Sequence, residues 1–180
     1  MNALKESIPV LYSEEEIAER LEAMAEEIAK GMDTEGLMIV SLLRGSFMFT
    51  SDLVRELYRV GVQPQIDFMT LSSYGGGITS SGVVSMHGDI REDVKDRPVL
   101  ILDDILETGN TLDSAAKILL DRGAKDVKIG VLLDKPGKRD KAMEADFVGF
   151  TIPDRFVIGY GLDYDNHFRE LPFIGYVEIH

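Results

Sequence analysis

The chain has 180 residues, 44% hydrophobic and 28% charged, an ordinary globular composition that fits one domain with its own core. Its 19 Lys plus Arg face 32 Asp plus Glu, a net charge of −13, which argues against a general duplex-binding module because neutralising phosphates needs a basic surface. With no cysteine, a disulfide scaffold, a thiolate zinc site and a cysteine nucleophile are excluded. The first residues, MNALKESIPVLYSEEE, hold no apolar signal core, and the longest stretch free of Asp, Glu, Lys and Arg, Phe68 to Gly88, is rich in Ser and Gly. The expectation is a soluble cytoplasmic protein that binds neither nucleic acid nor membrane.

Ser13-Glu14-Glu15-Glu16 has the form of a capping box, and Ile17, Leu21, Met24 and Ile28 follow at helical spacing, with Gly31 as a stop. Leu37 to Leu43 is an apolar run of strand length, broken by Arg44-Gly45-Ser46. A second helix carries Phe49, Leu53 and Leu57. Gln65 to Leu71 is β-rich. Ser72 to Gly82 is a Ser/Gly stretch that a strand at Val83 to Met86 would turn into a long hairpin. Pro98 to Leu102 is a second buried strand running into Asp103-Asp104; Thr111 to Arg122 is a helix closed by Gly123; Val127 to Leu133 is a third buried strand. From Phe147 to Val177 come short apolar pieces cut by Pro153, Gly159, Gly161 and Pro172. Alternating strands and helices predict right-handed crossovers and a parallel α/β sheet in a single domain over 1–180. A small hood, formed mainly by 135–180 and the N-terminal segment, would cover it.

Ligands of open α/β sheets sit beyond the carboxyl ends of the strands. Three such ends are chemically loaded: Arg44-Gly45, Asp103-Asp104 and Asp134-Lys135. In Val99-Leu100-Ile101-Leu102-Asp103-Asp104-Ile105-Leu106-Glu107-Thr108-Gly109-Asn110-Thr111, a loop with two hydroxyls and a glycine enters a helix whose free N–H groups favour phosphate. The paired acids upstream suit a sugar diol or a hydrated Mg²⁺. Polyol, phosphate and metal in one loop suggest a ribose phosphate. Neither the P-loop nor the Rossmann glycine pattern is present. On these residues alone, a turn followed by a helix cap explains the segment equally well.

The segment resembles the phosphoribosyl-pyrophosphate (PRPP) motif of the type I phosphoribosyltransferases. Leu132-Leu133-Asp134-Lys135-Pro136, Asp146-Phe147-Val148-Gly149-Phe150, Ile152-Pro153-Asp154-Arg155-Phe156-Val157-Ile158-Gly159-Tyr160-Gly161-Leu162-Asp163-Tyr164 and Phe168-Arg169 resemble the 6-oxopurine branch, the hypoxanthine-guanine phosphoribosyltransferases. The resemblance runs from about Leu37 to Val177. It implies the parallel-sheet fold of that family with a C-terminal hood and a flexible loop hairpin. It also implies that Asp103 and Asp104 hold the ribose hydroxyls and Mg²⁺, that Thr108, Gly109, Asn110 and Thr111 hold the 5′-phosphate, and that Glu107 faces purine N7 as general acid or base. Arg44-Gly45 would be the pyrophosphate loop, in which the family carries a cis peptide, and Arg169 a further pyrophosphate contact. Lys135 would donate to the purine 6-oxygen, Phe156 stack on the base, Val157 offer backbone contacts, and Asp163 sit beside the base and ligate a second Mg²⁺. Ser73-Tyr74 and the glycines after them would form the mobile loop.

Two positions depart from the family pattern: Glu107 stands where the family usually has Asp, and Arg44 where it commonly has Lys. Glu adds a methylene to the reach toward N7, and Arg is no conservative replacement at a phosphate. Taken singly, Phe156 reads as core, Lys135 as one of a solvated basic run with Lys138, Arg139 and Lys141, Asp163 as a surface turn, and Arg169 as a surface ion-pair partner. The expected reaction is transfer of phosphoribose from PRPP to hypoxanthine or guanine by a Mg²⁺-using homodimer or homotetramer. The alternatives are another base, such as xanthine, or a PRPP-sensing regulator.

Overall fold

The computed structural model describes residues 8–73 and 84–177. Tyr74 and Gly75-Gly76-Gly77 lie outside the described residues. The elements are β1 (Val10–Tyr12), α1 (Glu14–Gly31), β2 (Met38–Leu42), α2 (Phe47–Arg59), β3 (Gln65–Ser73), β4 (Val84–Gly88), β5 (Pro98–Leu106), α3 (Asn110–Asp121), β6 (Asp126–Asp134), a 3₁₀ turn (Pro136–Lys138), β7 (Phe147–Thr151), β8 (Phe156–Ile158) and β9 (Ile174–Val177). The capping box is complete: Glu16 N–H donates to Ser13 Oγ at 3.2 Å and Ser13 N–H to Glu16 Oε2 at 2.8 Å.

Six strands form the main sheet in the order β4-β3-β2-β5-β6-β7, all parallel except the antiparallel β3–β4 pair. Side chains alternate across it with the period of two that a pleated strand dictates. Leu37, Ile39, Leu100 and Leu102 face α1 and α2; Met38, Val40, Val99 and Ile101 face α3. The chain runs outward from β2 to β3 and then returns across β2 to β5, so the direction of winding reverses between β2 and β5. Crevices form at such a reversal, and the loops there are the ones that carry Arg44-Gly45 and, at the end of β5, Glu107 to Thr111.

Two elements differ from the expectation. β5 does not stop at Leu102 but continues through both acids to Leu106, because β6 pairs with it that far, Asp103 opposite Val131 and Leu106 opposite Asp134. β7 joins the main sheet beside β6 rather than standing apart with the rest of the tail. The second sheet is the antiparallel trio β1-β9-β8, in which the N-terminal strand pairs with the last one. Among the described residues no helix is long and apolar enough to cross a membrane.

Candidate active site

A cavity of about 560 Å³ opens at the winding reversal. Arg44, Gly45, Asp103, Asp104, Glu107, Thr108, Gly109, Thr111, Asp163 and Arg169 all line it. One wall is the turn after β2. The Leu43–Arg44 peptide is cis. Beneath it three buried hydroxyls are linked: Ser41 Oγ lies 2.8 Å from Ser46 Oγ and 2.7 Å from Thr50 Oγ1, and Ser46 donates to the Leu42 carbonyl at 2.5 Å. These bonds tie the first turn of α2 to the end of β2, which fixes the loop between them.

The floor is the end of β5. Asp103 and Asp104 are half-buried neighbours in the strand. Burial first, then the adjacent Asp104 charge, push the Asp103 carboxyl well above the ordinary carboxylate range. Burial also raises Asp104, with hydrogen bonds and the Arg169 charge pulling the other way. Neither acid forms an ion pair among the described residues. Gly45 packs so tightly here that a Cβ on it would sit 1.6 Å from Asp104 Oδ2. The loop then enters α3 through Gly109, whose φ is 84°. Thr111 and Leu112 of its first turn, where N–H groups have no partner within the helix, line the cavity. Asp140 and Lys141 N–H brace the loop from behind by donating to the Thr108 carbonyl at 3.0 and 3.2 Å.

Beyond Glu107 the charges alternate. Lys135, only 6% exposed, places Nζ 3.1 Å from Glu107 Oε1 and 3.3 Å from Asp154 Oδ1. Lys138 Nζ spans the same two acids at 3.4 and 3.0 Å. Phe156, two residues after Asp154, is 39% exposed, with Tyr164 edge-on at 5.6 Å. On the far side Asp163 and Arg169 pair with each other at 2.7 Å, and Arg169 also donates to the Gly161 carbonyl at 2.6 Å.

The predicted residues therefore gather in two adjoining zones. One holds the acid pair, the Arg44-Gly45 turn, the α3 entrance and Arg169. The other holds Glu107 and Lys135, and Asp154, which pairs with Lys135, is followed two residues later by Phe156. Val157 is buried behind Phe156. Asn110 turns aside to donate to Asp140 Oδ2 at 3.0 Å. Ser73 ends β3, and Tyr74 lies outside the described residues. Asp163 is held by Arg169, and among the described residues no three acids or histidines cluster in a way that would hold a metal ion by themselves.

The model of the phosphoribosyl transferase domain matches residues 10–165. The hypoxanthine phosphoribosyltransferase of Escherichia coli K12 is 43% identical over 176 residues, 97% of each chain. The chain belongs to the phosphoribosyltransferase family, in its hypoxanthine-guanine branch. The hypoxanthine-guanine phosphoribosyltransferase of Streptococcus pneumoniae R6 is 42% identical over 166 residues, 92% of this chain and 91% of the relative. A crystal structure of the Staphylococcus aureus hypoxanthine phosphoribosyltransferase matches with a TM-score of 0.91 at 40% identity, over 98% of this chain and 95% of the other.

Several supporting residues of this phosphoribosyltransferase escaped the sequence. Ser41 carried a signal, a lone hydroxyl in the apolar run LMIVSLL. Arg139 carried none. It reads as part of a solvated basic run, yet its Nη1 donates to the carbonyls of Leu106 and Glu107, both at 2.7 Å, and of Lys135 at 3.2 Å, while Nη2 bonds Asp134. One guanidinium thus fastens the ends of β5 and β6 together just where Glu107 and Lys135 project.

Proposed function

We propose that this enzyme transfers the 5-phosphoribosyl group of PRPP to N9 of hypoxanthine or guanine, giving IMP or GMP and pyrophosphate in purine salvage. The observation that carries the reading is the adjacency of the two zones: an acid pair and helix entrance suited to a ribose phosphate, next to a buried ammonium, Lys135, within hydrogen-bond reach of a carboxylate, Glu107.

In this reading the first-turn N–H groups of α3 and the Thr108 and Thr111 hydroxyls hold the 5′-phosphate. Asp103 and Asp104 accept from the ribose hydroxyls. The same acids fit Mg²⁺: two half-buried hard oxygen donors, free of ion pairs among the described residues and both raised by burial, with substrate oxygens and water left to complete the shell. When bound, Mg²⁺ supplies positive charge to the pyrophosphate oxygens. Asp163 would help to hold a second ion once Arg169 turns from it toward pyrophosphate, which Arg44 and Gly45 also grip. At the base, Lys135 donates to the 6-oxygen and Phe156 covers the ring. Glu107 faces N7 and takes the proton that the base sheds as N9 bonds to C1′. The C1′–oxygen bond breaks with its electron pair leaving on pyrophosphate. No protein nucleophile is required, so catalysis is positioning and charge stabilisation. Family membership supports a single domain acting as a cytoplasmic homodimer or homotetramer, and sedimentation of the purified chain tests the subunit count.

Incubation with PRPP, Mg²⁺ and each of hypoxanthine, guanine, xanthine and adenine, followed by chromatography of the nucleotides, tests the assignment. IMP and GMP are the expected products. Turnover of adenine alone, or of none of the four, overturns it.

A further inference from the structure

A second contact network lies behind the cavity, between α2 and the turn that follows β8. Tyr160 is 6% exposed, and its hydroxyl donates to Asp52 Oδ2 of α2 at 2.5 Å. Its backbone is left-handed, φ 51°, a conformation that a bulky aromatic residue adopts only when its surroundings impose it. The next residue, Gly161, touches both groups assigned above to pyrophosphate. Its carbonyl accepts from Arg169 Nη1 at 2.6 Å and its N–H donates to the Arg169 carbonyl at 3.0 Å. Its Cα lies so close to the Arg44-Gly45 turn that a Cβ would stand 2.1 Å from the Gly45 carbonyl oxygen. Asp52 in turn sits on α2, the helix whose first turn is tied through Ser46 and Thr50 to the end of β2.

From this geometry we infer that Tyr160, through its hydrogen bond to Asp52, is a positioning residue for pyrophosphate, holding Gly161 as the common support of the Arg44-Gly45 turn and Arg169. The inference rests on the proposed reaction and deepens it. The two pyrophosphate groups come from segments more than 120 residues apart in the chain, one leaving β2 and one in the hood. Nothing in either segment alone sets the distance between them. The Tyr160–Asp52 bond joins α2 to the hood beside the turn that contacts both. Burial and the Asp52 charge raise the phenol further above its ordinary range, so it remains a donor throughout the working pH range. Among the described residues Lys135 and Phe156 share no hydrogen bond or ion pair with Tyr160 or Asp52, which gives the effect a direction: PRPP and pyrophosphate should suffer, the base should not.

The test is Tyr160→Phe, which keeps the ring and removes only the hydroxyl. Steady-state constants are measured forward with PRPP and hypoxanthine and in reverse with pyrophosphate and IMP, alongside thermal melting. The expected result is a roughly tenfold rise in KM for PRPP and for pyrophosphate, the size of one lost charge-assisted hydrogen bond, with KM for hypoxanthine within twofold. Asp52→Asn keeps an acceptor for the phenol and should retain most of the wild-type constants. Asp52→Ala should match Tyr160→Phe, and the double variant should be no worse than either single one. The inference is overturned if Tyr160→Phe leaves both pyrophosphate-side constants within twofold, or raises the base and PRPP constants equally, as a general loosening of the fold would. Should Tyr160→Phe fail to fold, Asp52→Ala carries the same decision. A wild-type enzyme that forms no IMP would instead refute the proposed reaction, so the two failures are separable.

Discussion

Gly45→Ala separates stability from function more sharply than any other substitution in the site. The added Cβ would lie 1.6 Å from Asp104 Oδ2 and 2.6 Å from its Cγ. Ordinary contact begins at 3.4 Å, so one group must retreat by roughly 1.8 Å. The obstacle is the free end of a short side chain, not backbone, so the carboxylate rotates away. Holding it off its preferred rotamer costs about 1 kcal/mol, a loss of roughly 2–4 °C in Tm for a chain of this size. Function loses more, because Asp104 is proposed to hold ribose and metal, and misplacement by ~1 Å can cost about 10²-fold. The expected outcome is a folded enzyme with kcat/KM for PRPP down by about two orders of magnitude and KM for hypoxanthine changed little. Kinetics with PRPP varied at saturating base, beside a melting curve, read both quantities. If kcat/KM for PRPP stays within threefold of wild type, Asp104 does not do the work assigned to it.

Glu107→Gln keeps the shape and an acceptor for Lys135 but cannot take a proton, so kcat should fall by roughly 10²–10⁴ while PRPP still binds; calorimetric titration of PRPP together with single-turnover rates separates the two. In its proposed place at the purine 6-position Lys135 can only donate and would oppose the 6-amino group of adenine; Lys135→Gln, which both donates and accepts, should lose hypoxanthine activity and narrow the hypoxanthine-to-adenine ratio of kcat/KM. An unchanged ratio in that variant would move base selection elsewhere, to the backbone near Val157. At Asp67 burial alone would raise the carboxyl, but N–H donors from Arg91, Glu92 and Phe68 outweigh it and hold it below the usual range. Its contribution to stability is therefore full above the unfolded pKa of about 3.9 and is lost as pH falls through the lower folded value. Melting curves should show Asp67→Asn less stable than wild type at pH 7, with the gap closing below about pH 4.

What the sequence revealed and what it concealed divide along a physical line. The cap of α1 was legible because Ser13 and Glu16 act on each other across three residues. The proposed phosphate cradle could be read from the sequence because its parts are contiguous from Asp103 to Thr111. The end of β5 was not: charged residues ordinarily stop a buried strand, and only pairing with β6 carries this one through its acids. Lys135 and Arg139 sit in a stretch whose composition suggests solvent. Their burial depends on Glu107 and Asp154 from one side and on the carbonyls of two strand ends from the other. The hydroxyl chain under Arg44 and the Tyr160–Asp52 bond join residues that no local pattern relates.

The pairing of β1 with β9 sets an order on synthesis as well as a shape. Val10 lies opposite Gly175, so the second sheet closes only after the chain has been made as far as β9. Phe156 sits on β8, whose one partner strand among the described residues is β9. The acid pair, the α3 entrance and the Arg44 turn, by contrast, all belong to residues 38–121. A nascent chain thus holds every residue of the proposed phosphate cradle before β9 is available to hold the proposed base-stacking Phe156. A chain cut short just before Ile174 should leave that proposed cradle intact while leaving β1 and β8 without β9, the partner they share, so it should keep PRPP binding and lose binding of the base.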